Sequence, residues 1–279
     1  MTILFVHGGV SGIKKEPAPS LRSAFGMTEG NRLDIIEAAV CALEDHPELN
    51  AGTGAVLGRE GRLELDAGIA DGLGGAAGVA NVYVRHPISL ARRVLETTPH
   101  VLITGDGANA FGADMETIDP TPEQLERWEK ASERGELSGE HYGSPEHVDT
   151  VGAVVLDDDG HLAAGSSTGG VFGKLPGRVG DSPIFGAGIY ASSDVAVIGT
   201  GVGELFLRTL ACARVGLLIE SGASPQAACE EVVSFLGTKE ETAAGLLALD
   251  ATGRVGAAFR GGSWAVEGMV GPIQPVHLS

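Results

Sequence analysis

Two threonines and one pair of opposite charges supply the reactive side chains that stand out in this 279-residue chain. Thr150 opens the run TVGAVVLDDDGHLAAGSSTGGVFGKLPGRVGDSP, and Thr168 lies at the far end of the hairpin it contains. Val151, Ala153 and Val155 alternate along one strand and Leu162 and Ala164 along the next, with Asp-Gly between them as the turn signal. With Asp159-Gly160 as the two central turn residues, Thr150 falls opposite Gly169 and beside Thr168. A one-residue slip makes the threonines direct partners, with Cβ atoms about 5 Å apart. Arg178 and Asp181 follow in a stiff loop, PGRVGDSP. A hydroxyl pair beside a cation and an anion is the chemistry of a nucleophile with a receptor for an amino acid's carboxylate and ammonium.

A threonine nucleophile needs a base, because a free hydroxyl is barely ionised at neutral pH. His147 in the linker and His161 beside the turn both read as solvated. The alternative is the α-amine of Thr150 itself, with a pKa near about 8, which exists only if the peptide bond after Asp149 is cut. Residues 114–149 are charged and carry little hydrophobic periodicity, so they read as a mobile linker in which such a cut is physically sensible. Within them, Thr121-Pro122-Glu123-Gln124 is a capping-box start for a solvated helix.

The elements around these residues come in blocks. Ile3–Val6 reads as a buried strand followed by His7-Gly8-Gly9, which by itself reads as a turn with a hydrogen-bonded histidine. A helix is expected over 31–46, a hairpin over 55–69 and a strand over 74–84. A short helix over 87–96 and a strand over 101–104 come next, then a glycine-rich loop over 105–112. Beyond the threonine hairpin, the pattern gives a strand at 195–198, one helix to about 220, a second helix to 236, a hairpin over 245–259 and a last strand. This order predicts antiparallel sheets with helices packed outside, not alternating βαβ winding. Asp66 and Asp71 lack a third ligand at metal spacing, so a solvated strand face is expected there. The strand–glycine–helix unit at 195–220 fails as a dinucleotide site, because Glu204 and Phe206 occupy the third-glycine position in its two frames.

Composition narrows the partners. A formal charge of −18 argues against nucleic acid and anionic membranes. Three cysteines (Cys41, Cys212 and Cys229) sit in apolar helical patterns without C-x-x-C spacing, and read as reduced and structural in a cytoplasmic protein. No run approaches the roughly 18 apolar residues of a membrane span.

Five stretches in order carry a family resemblance: HGG near the start, LEDHPELNAGTGAVLGREGRLELDAGIADG, HPISLARRVLETTPHVLITGDGANAFG, DTVGAVVLDDDGHLAAGSSTGGVFGKLPGRVGDSPIFGAGIYA, and GTGVGE. Together they resemble the plant-type L-asparaginase/isoaspartyl aminopeptidase family of N-terminal nucleophile hydrolases. That resemblance implies an α+β fold, a four-layer αββα sandwich in one domain over 1–279. It also implies self-cleavage between Asp149 and Thr150 into an α-chain 1–149 and a β-chain 150–279. By motif, Thr150 is nucleophile and base, Thr168 supports its hydroxyl, and Asn50 orients its amine. Arg178 takes the substrate's α-carboxylate, while Asp181 and the Gly203 carbonyl take its α-ammonium. Thr200 and the Gly201 N–H form the oxyanion hole. Carbonyls of Leu43, Glu44, His46, Leu49, Ala51 and Thr53 resemble the family's loop for a structural Na+ or K+, and the chemistry itself requires no cofactor.

The implied activity is hydrolysis of L-asparagine to aspartate and ammonia, and of β-aspartyl dipeptides, by a homodimer of αβ units acting on small molecules. Glycosylasparagine hydrolysis, and an uncleaved homologue with a structural or amino-acid-binding role, are the alternatives. Three features depart from the family pattern: a short stretch between HGG and LNAG, Asp149 where many relatives carry Gly, and Ser166 where Thr is usual.

Overall fold

The computed structural model describes residues 1–11, 19–26, 28–137, 150–236, 243–269 and 271–278. Its first sheet contains β1 (Ile3–Ser11), β2 (Leu65–Asp71), β3 (Ala76–Val82), β4 (Leu102–Thr104), β5 (Val151–Leu156), β6 (Leu162–Thr168) and β11 (Ser263–Gly268), in the order β11-β1-β5-β6-β2-β3-β4. The second holds β7 (Ile189–Ala191), β8 (Val195–Gly201), β9 (Ala244–Asp250), β10 (Val255–Arg260) and β12 (Val276–His277), in the order β12-β10-β9-β8-β7. Pairing is antiparallel except for β3 with β4 and β10 with β12.

Three buried clusters define the layers. Val151, Ala153 and Val155 pack under α1 (Arg32–Glu44), while α2 (Pro87–Thr97) covers β2, β3 and β6 on the same face. Val154, Leu156, Leu162 and Ala164 point the other way, onto Ile198, Leu247 and Leu249 of the second sheet. The outer face of that sheet meets α6 (Ala211–Glu220) and α7 (Pro225–Leu236) through Val215, Cys229 and Val233. The result is the expected αββα sandwich. Every residue of β5 and β6 is therefore buried, because an inner strand has a core on both faces.

The threonine hairpin takes the slipped register. Val151 pairs with Ser167 and Leu156 with Leu162, so Thr150 stands level with Thr168. The turn is one residue longer than the two-residue form. Asp157 N–H donates to His161 O, and Gly160 takes the third loop position with φ +81°, which a β-carbon would disfavour.

Local signals succeed where a cap or a breaker states them. Asn31 caps α1 in a reciprocal capping box with Asp34, and Thr121 and Gln124 do the same for α4 (Pro122–Glu133). Other expectations change. Ala55–Gly58 does not form a strand with β2, whose antiparallel neighbours are β3 and β6. Residues 105–111 are a helix, α3 (Gly105–Phe111), in place of a glycine loop. The long helix after β8 is broken at Leu210 (φ 52°) into α5 (Gly203–Thr209) and α6.

The linker expectation is corrected over its first two thirds. Gln124 Nε2 donates to the carbonyls of Thr53 and Ala55, the Arg127 guanidinium lies 4.7 Å over the Phe172 ring, and Trp128 packs on Gly61. The 114–137 span is thus a largely exposed segment with its helix α4 anchored to the body, while 138–149 lie outside the described residues.

Candidate active site

Thr150 and Thr168 meet because they are the open ends of one hairpin. Thr150 Oγ1 donates to Thr168 Oγ1 at 3.1 Å, and both residues are buried. Thr168 Oγ1 also accepts the Gly170 N–H at 3.0 Å, which fixes its lone pairs toward the Gly169-Gly170 turn. Asn50 clamps that turn from the other side. Its Nδ2 donates to Gly170 O (2.8 Å), its Oδ1 accepts Val56 N–H (3.0 Å), and its carbonyl accepts Gly169 N–H (2.8 Å). The Asn50 side chain therefore reaches Thr150 through the turn that holds Thr168.

The second sheet delivers Thr200 and Gly201 to the same end. A β-carbon on Gly152 would come within 2.9 Å of Ile198 Cδ1, so β5 and β8 stack tightly. The start of β5 and the end of β8 then share one edge of the sandwich. Thr200 is fully buried and its Oγ1 accepts the Val10 N–H at 3.3 Å, which leaves the hydroxyl proton available for another acceptor. His7 is placed just behind Thr150, opposite Gly152 in the β1–β5 register. Its Nδ1 accepts Gly9 N–H at 3.1 Å, and burial drives its pKa down to about 3, so the ring is neutral. The expected turn at His7-Gly8-Gly9 is corrected: the stretch lies inside β1 as a register irregularity against β11, and Val10 just after it ties the strand to Thr200.

Arg178, Asp181 and Gly203 converge as well. A β-carbon at Gly203 would stand 2.8 Å from Arg178 Nη2 and 2.9 Å from Asp181 Oδ1, so this glycine is what leaves room for the charge pair. Arg178 is held by Glu204, with Nε and Nη2 donating to the two carboxylate oxygens at 3.1 Å each. Asp181 is buried, and its Oδ2 has no hydrogen-bond partner among the described residues. Desolvation raises its pKa to about 6 against the pull of Arg178. A buried carboxylate oxygen without a donor can accept from a ligand cation.

That shift has a stability consequence. A carboxyl whose folded pKa is raised stabilises the fold when protonated, and this contribution is lost as pH rises through about 6. Asp181→Asn is therefore expected to be more stable than the parent by about 3 kcal/mol at about pH 8, with the difference gone by about pH 4. Thermal melts at the two pH values check it. An equal difference at both would remove Asp181 as its source.

Three residues near the site were missed or misjudged from sequence. Asp66 is fully buried, not on a solvated face. It lies level with Thr168 and accepts Asn81 N–H (3.0 Å) and Gly180 N–H (2.8 Å), anchoring the 178–181 loop to β2. Lys174, also buried, donates from Nζ to Glu64 O beside Gly170, and burial lowers its pKa. A lysine in a glycine-rich loop carries no sequence sign of burial. From sequence Glu204 reads only as a misfit in a dinucleotide fingerprint, though a carboxylate next to Gly203 is the available clue to a partner for Arg178.

Of the remaining expectations, Asp149 lies outside the described residues. In the 43–53 loop, a β-carbon on Gly54 would sit within 2.8 Å of the carbonyl oxygens of His46, Pro47 and Leu49, and one on Gly52 within 2.4 Å of Glu44 O. These carbonyls line a cradle. The Thr53 carbonyl instead accepts Gln124 Nε2 at 3.0 Å. Among the described residues, no helix is long and apolar enough to cross a membrane.

A threonine heading an inner strand of an αββα sandwich, with a charged receptor beside it, is the architecture of the N-terminal nucleophile hydrolases. The model of one family, described as asparaginase, matches residues 2–270, and the chain belongs to that family. It is 45% identical over 243 residues to an isoaspartyl peptidase of Salmonella typhimurium, covering 81% of this chain and 77% of that one. A plant-type L-asparaginase of Pyrococcus horikoshii is 39% identical over 286 residues, covering 92% of each chain. The human isoaspartyl peptidase/L-asparaginase is 38% identical over 270 residues, covering 90% of this chain and 87% of the relative.

Proposed function

We propose that this protein cuts its own chain before Thr150 and then hydrolyses the side-chain amide of L-asparagine and the β-linked bond of isoaspartyl dipeptides. The observation that carries the reading is the juxtaposition of the Thr150–Thr168 hydroxyl pair with the buried, donor-seeking Asp181 and the Arg178 fork. The relatives' names support the substrate class. In the first step Thr150 Oγ attacks the Asp149 carbonyl carbon, the peptide N–C bond breaks, and water cleaves the resulting ester. This frees the Thr150 α-amine.

In turnover that amine takes the Thr150 hydroxyl proton as Oγ attacks the substrate amide carbon. The developing oxyanion is met by the Thr200 hydroxyl and the Gly201 N–H. The proton passes to the departing ammonia or peptide amine, leaving a β-aspartyl ester on Thr150. Water then attacks the ester and aspartate leaves. Arg178 takes the α-carboxylate, and Asp181 with the Gly203 carbonyl takes the α-ammonium, so a peptide bond lacking both free groups is not a substrate. The carbonyl cradle at Gly52–Gly54 suits a hard alkali cation, which would brace the Asn50 loop; the reaction itself needs no cofactor. Two αβ units forming a homodimer belong to the same proposal and rest on the family resemblance.

Aspartate release from L-asparagine, a β-aspartyl dipeptide and the matching α-aspartyl dipeptide tests the reading. Hydrolysis of the first two alone is expected. Cleavage of the α-linked peptide, or inertness toward all three after prolonged incubation, would overturn it.

A further inference from the structure

On the face of the first sheet away from β8, the C-terminal end of α1 meets the N-terminal end of α2. Three side chains of metal-ligating type converge there: Cys41 and Glu44, one turn apart on α1, and His86, the residue that begins α2. One donor atom from each lies within 4.8 Å of the others. Glu44 is fully buried, and His86 is partly open to solvent. Tetrahedral zinc, with bonds of about 2.0–2.3 Å, holds its ligand atoms about 3.3–3.8 Å apart, so shifts of under about 1 Å would close the site.

The second observation is the ring of outer partners. Metal ligands are ordinarily oriented by groups behind them, above all a carboxylate on the far nitrogen of a ligating histidine. Here each ligand has such a partner. His86 Nδ1 meets Glu44 Oε2 at 3.1 Å within the trio, and its far nitrogen Nε2 lies at ion-pair distance, 3.6 Å, from Asp45 Oδ1. Glu44 Oε1 accepts the Ile88 N–H at 3.2 Å. Cys41 Sγ lies 3.4 Å from Ser89 Oγ, a hydroxyl able to donate to a thiolate. The Arg85 guanidinium is directed at Asp45 and Glu116, not at the three ligands.

We propose that Cys41, Glu44 and His86 form a binding site for a zinc-class divalent cation, with the fourth position open to water. Thiolate, imidazole and carboxylate together select a borderline-soft ion over the alkali metals and calcium. This site uses side chains and is separate from the carbonyl cradle, although Glu44 contributes its carboxylate to one and its backbone to the other. Burial and the neighbouring Glu44 hold the Cys41 thiol pKa up, so binding must displace the thiol proton to the buffer as the sulfur–metal bond forms. The bound ion would tie the two helix ends together at the base of the loop that carries Asn50.

Cobalt(II) is the probe, because a cobalt–thiolate bond gives a near-ultraviolet charge-transfer band that nitrogen and oxygen ligands do not. Full-length protein titrated with Co2+ is expected to show that band, saturating at one ion per chain and bleached by added Zn2+. Cys41→Ser should abolish it, and His86→Gln should weaken Co2+ binding by more than about 100-fold. Far-UV circular dichroism checks the fold of each variant, and if Cys41→Ser does not fold, His86→Gln carries the test. Absence of the band in the parent, or its persistence in either variant with unchanged affinity, would show that the cluster is only a buried ion pair beside a thiol. Hydrolysis assays play no part, so failure here leaves the proposed function standing.

Discussion

Thr150→Ala is expected to leave one species of 28.4 kDa after prolonged incubation, with no measurable hydrolysis of asparagine. The same oxygen is assigned to the chain cut and to turnover, so both should vanish together. Loss of a nucleophile alone costs as much as about 10⁶-fold in rate. The substitution deletes the hydrogen bond from Thr150 to Thr168 Oγ1, and Thr168 keeps its Gly170 N–H. The variant should therefore fold. Intact mass spectrometry of parent and variant decides the matter. Parent fragments beginning at Met1 and Thr150 support the assignment, whereas fragments from the alanine variant would place the reactive group elsewhere. Thr150→Ser keeps the oxygen, and slow processing by it would separate loss of the nucleophile from loss of packing.

The second large effect concerns recognition. Arg178→Ala is expected to process normally and to lose about 10- to 150-fold in kcat/KM, mostly as a higher KM. That is the range for removing a hydrogen-bonded charge worth about 1.5–3 kcal/mol. Glu204 holds the guanidinium by Nε and Nη2. A substrate carboxylate bound as proposed would share or displace that partner, so Glu204 would tune affinity while keeping the fork aligned. Arg178→Lys should recover little, since one ammonium does not reproduce a planar pair of donors. Normal turnover by Arg178→Ala would remove Arg178 from the receptor. Loss of processing would instead implicate the residue in holding Thr150.

Much of this site was readable because its members are local. Thr150 and Thr168 are joined by one hairpin, and Arg178 and Asp181 by one short loop, so proximity follows from chain connectivity. Their pairing was a different matter. Strand parity depends on whether a turn spends two or three residues, and Asp158-Asp159-Gly160 supports the longer form, which a dipeptide signal does not distinguish. Leu210 breaks a helix that hydrophobic period alone would continue, because its φ of 52° is a tertiary compromise with no glycine to announce it. Asp66 and Lys174 show the larger limit. Both are buried polar residues with partners, Gly180 and Glu64, more than a hundred positions away; alternation on a strand reads Asp66 as solvated, and a glycine-rich loop gives Lys174 no sign of burial.

One feature of the sheet order bears on the sequence of events in the cell. β1 lies between β11 and β5, hydrogen-bonded to both, so the amino-terminal piece would be intercalated within the carboxy-terminal one. The proposed scission before Thr150 would nick a finished object and would not release two modules. Such a nick would follow threading of β1 into its slot, since two separate polypeptides would have to find an interleaved arrangement that one chain reaches by being continuous. Maturation of this kind would be irreversible in a topological sense. Once denatured, a nicked protein would face a bimolecular search that its precursor never met, so unprocessed Thr150→Ala should refold in a regime where a mature pair does not.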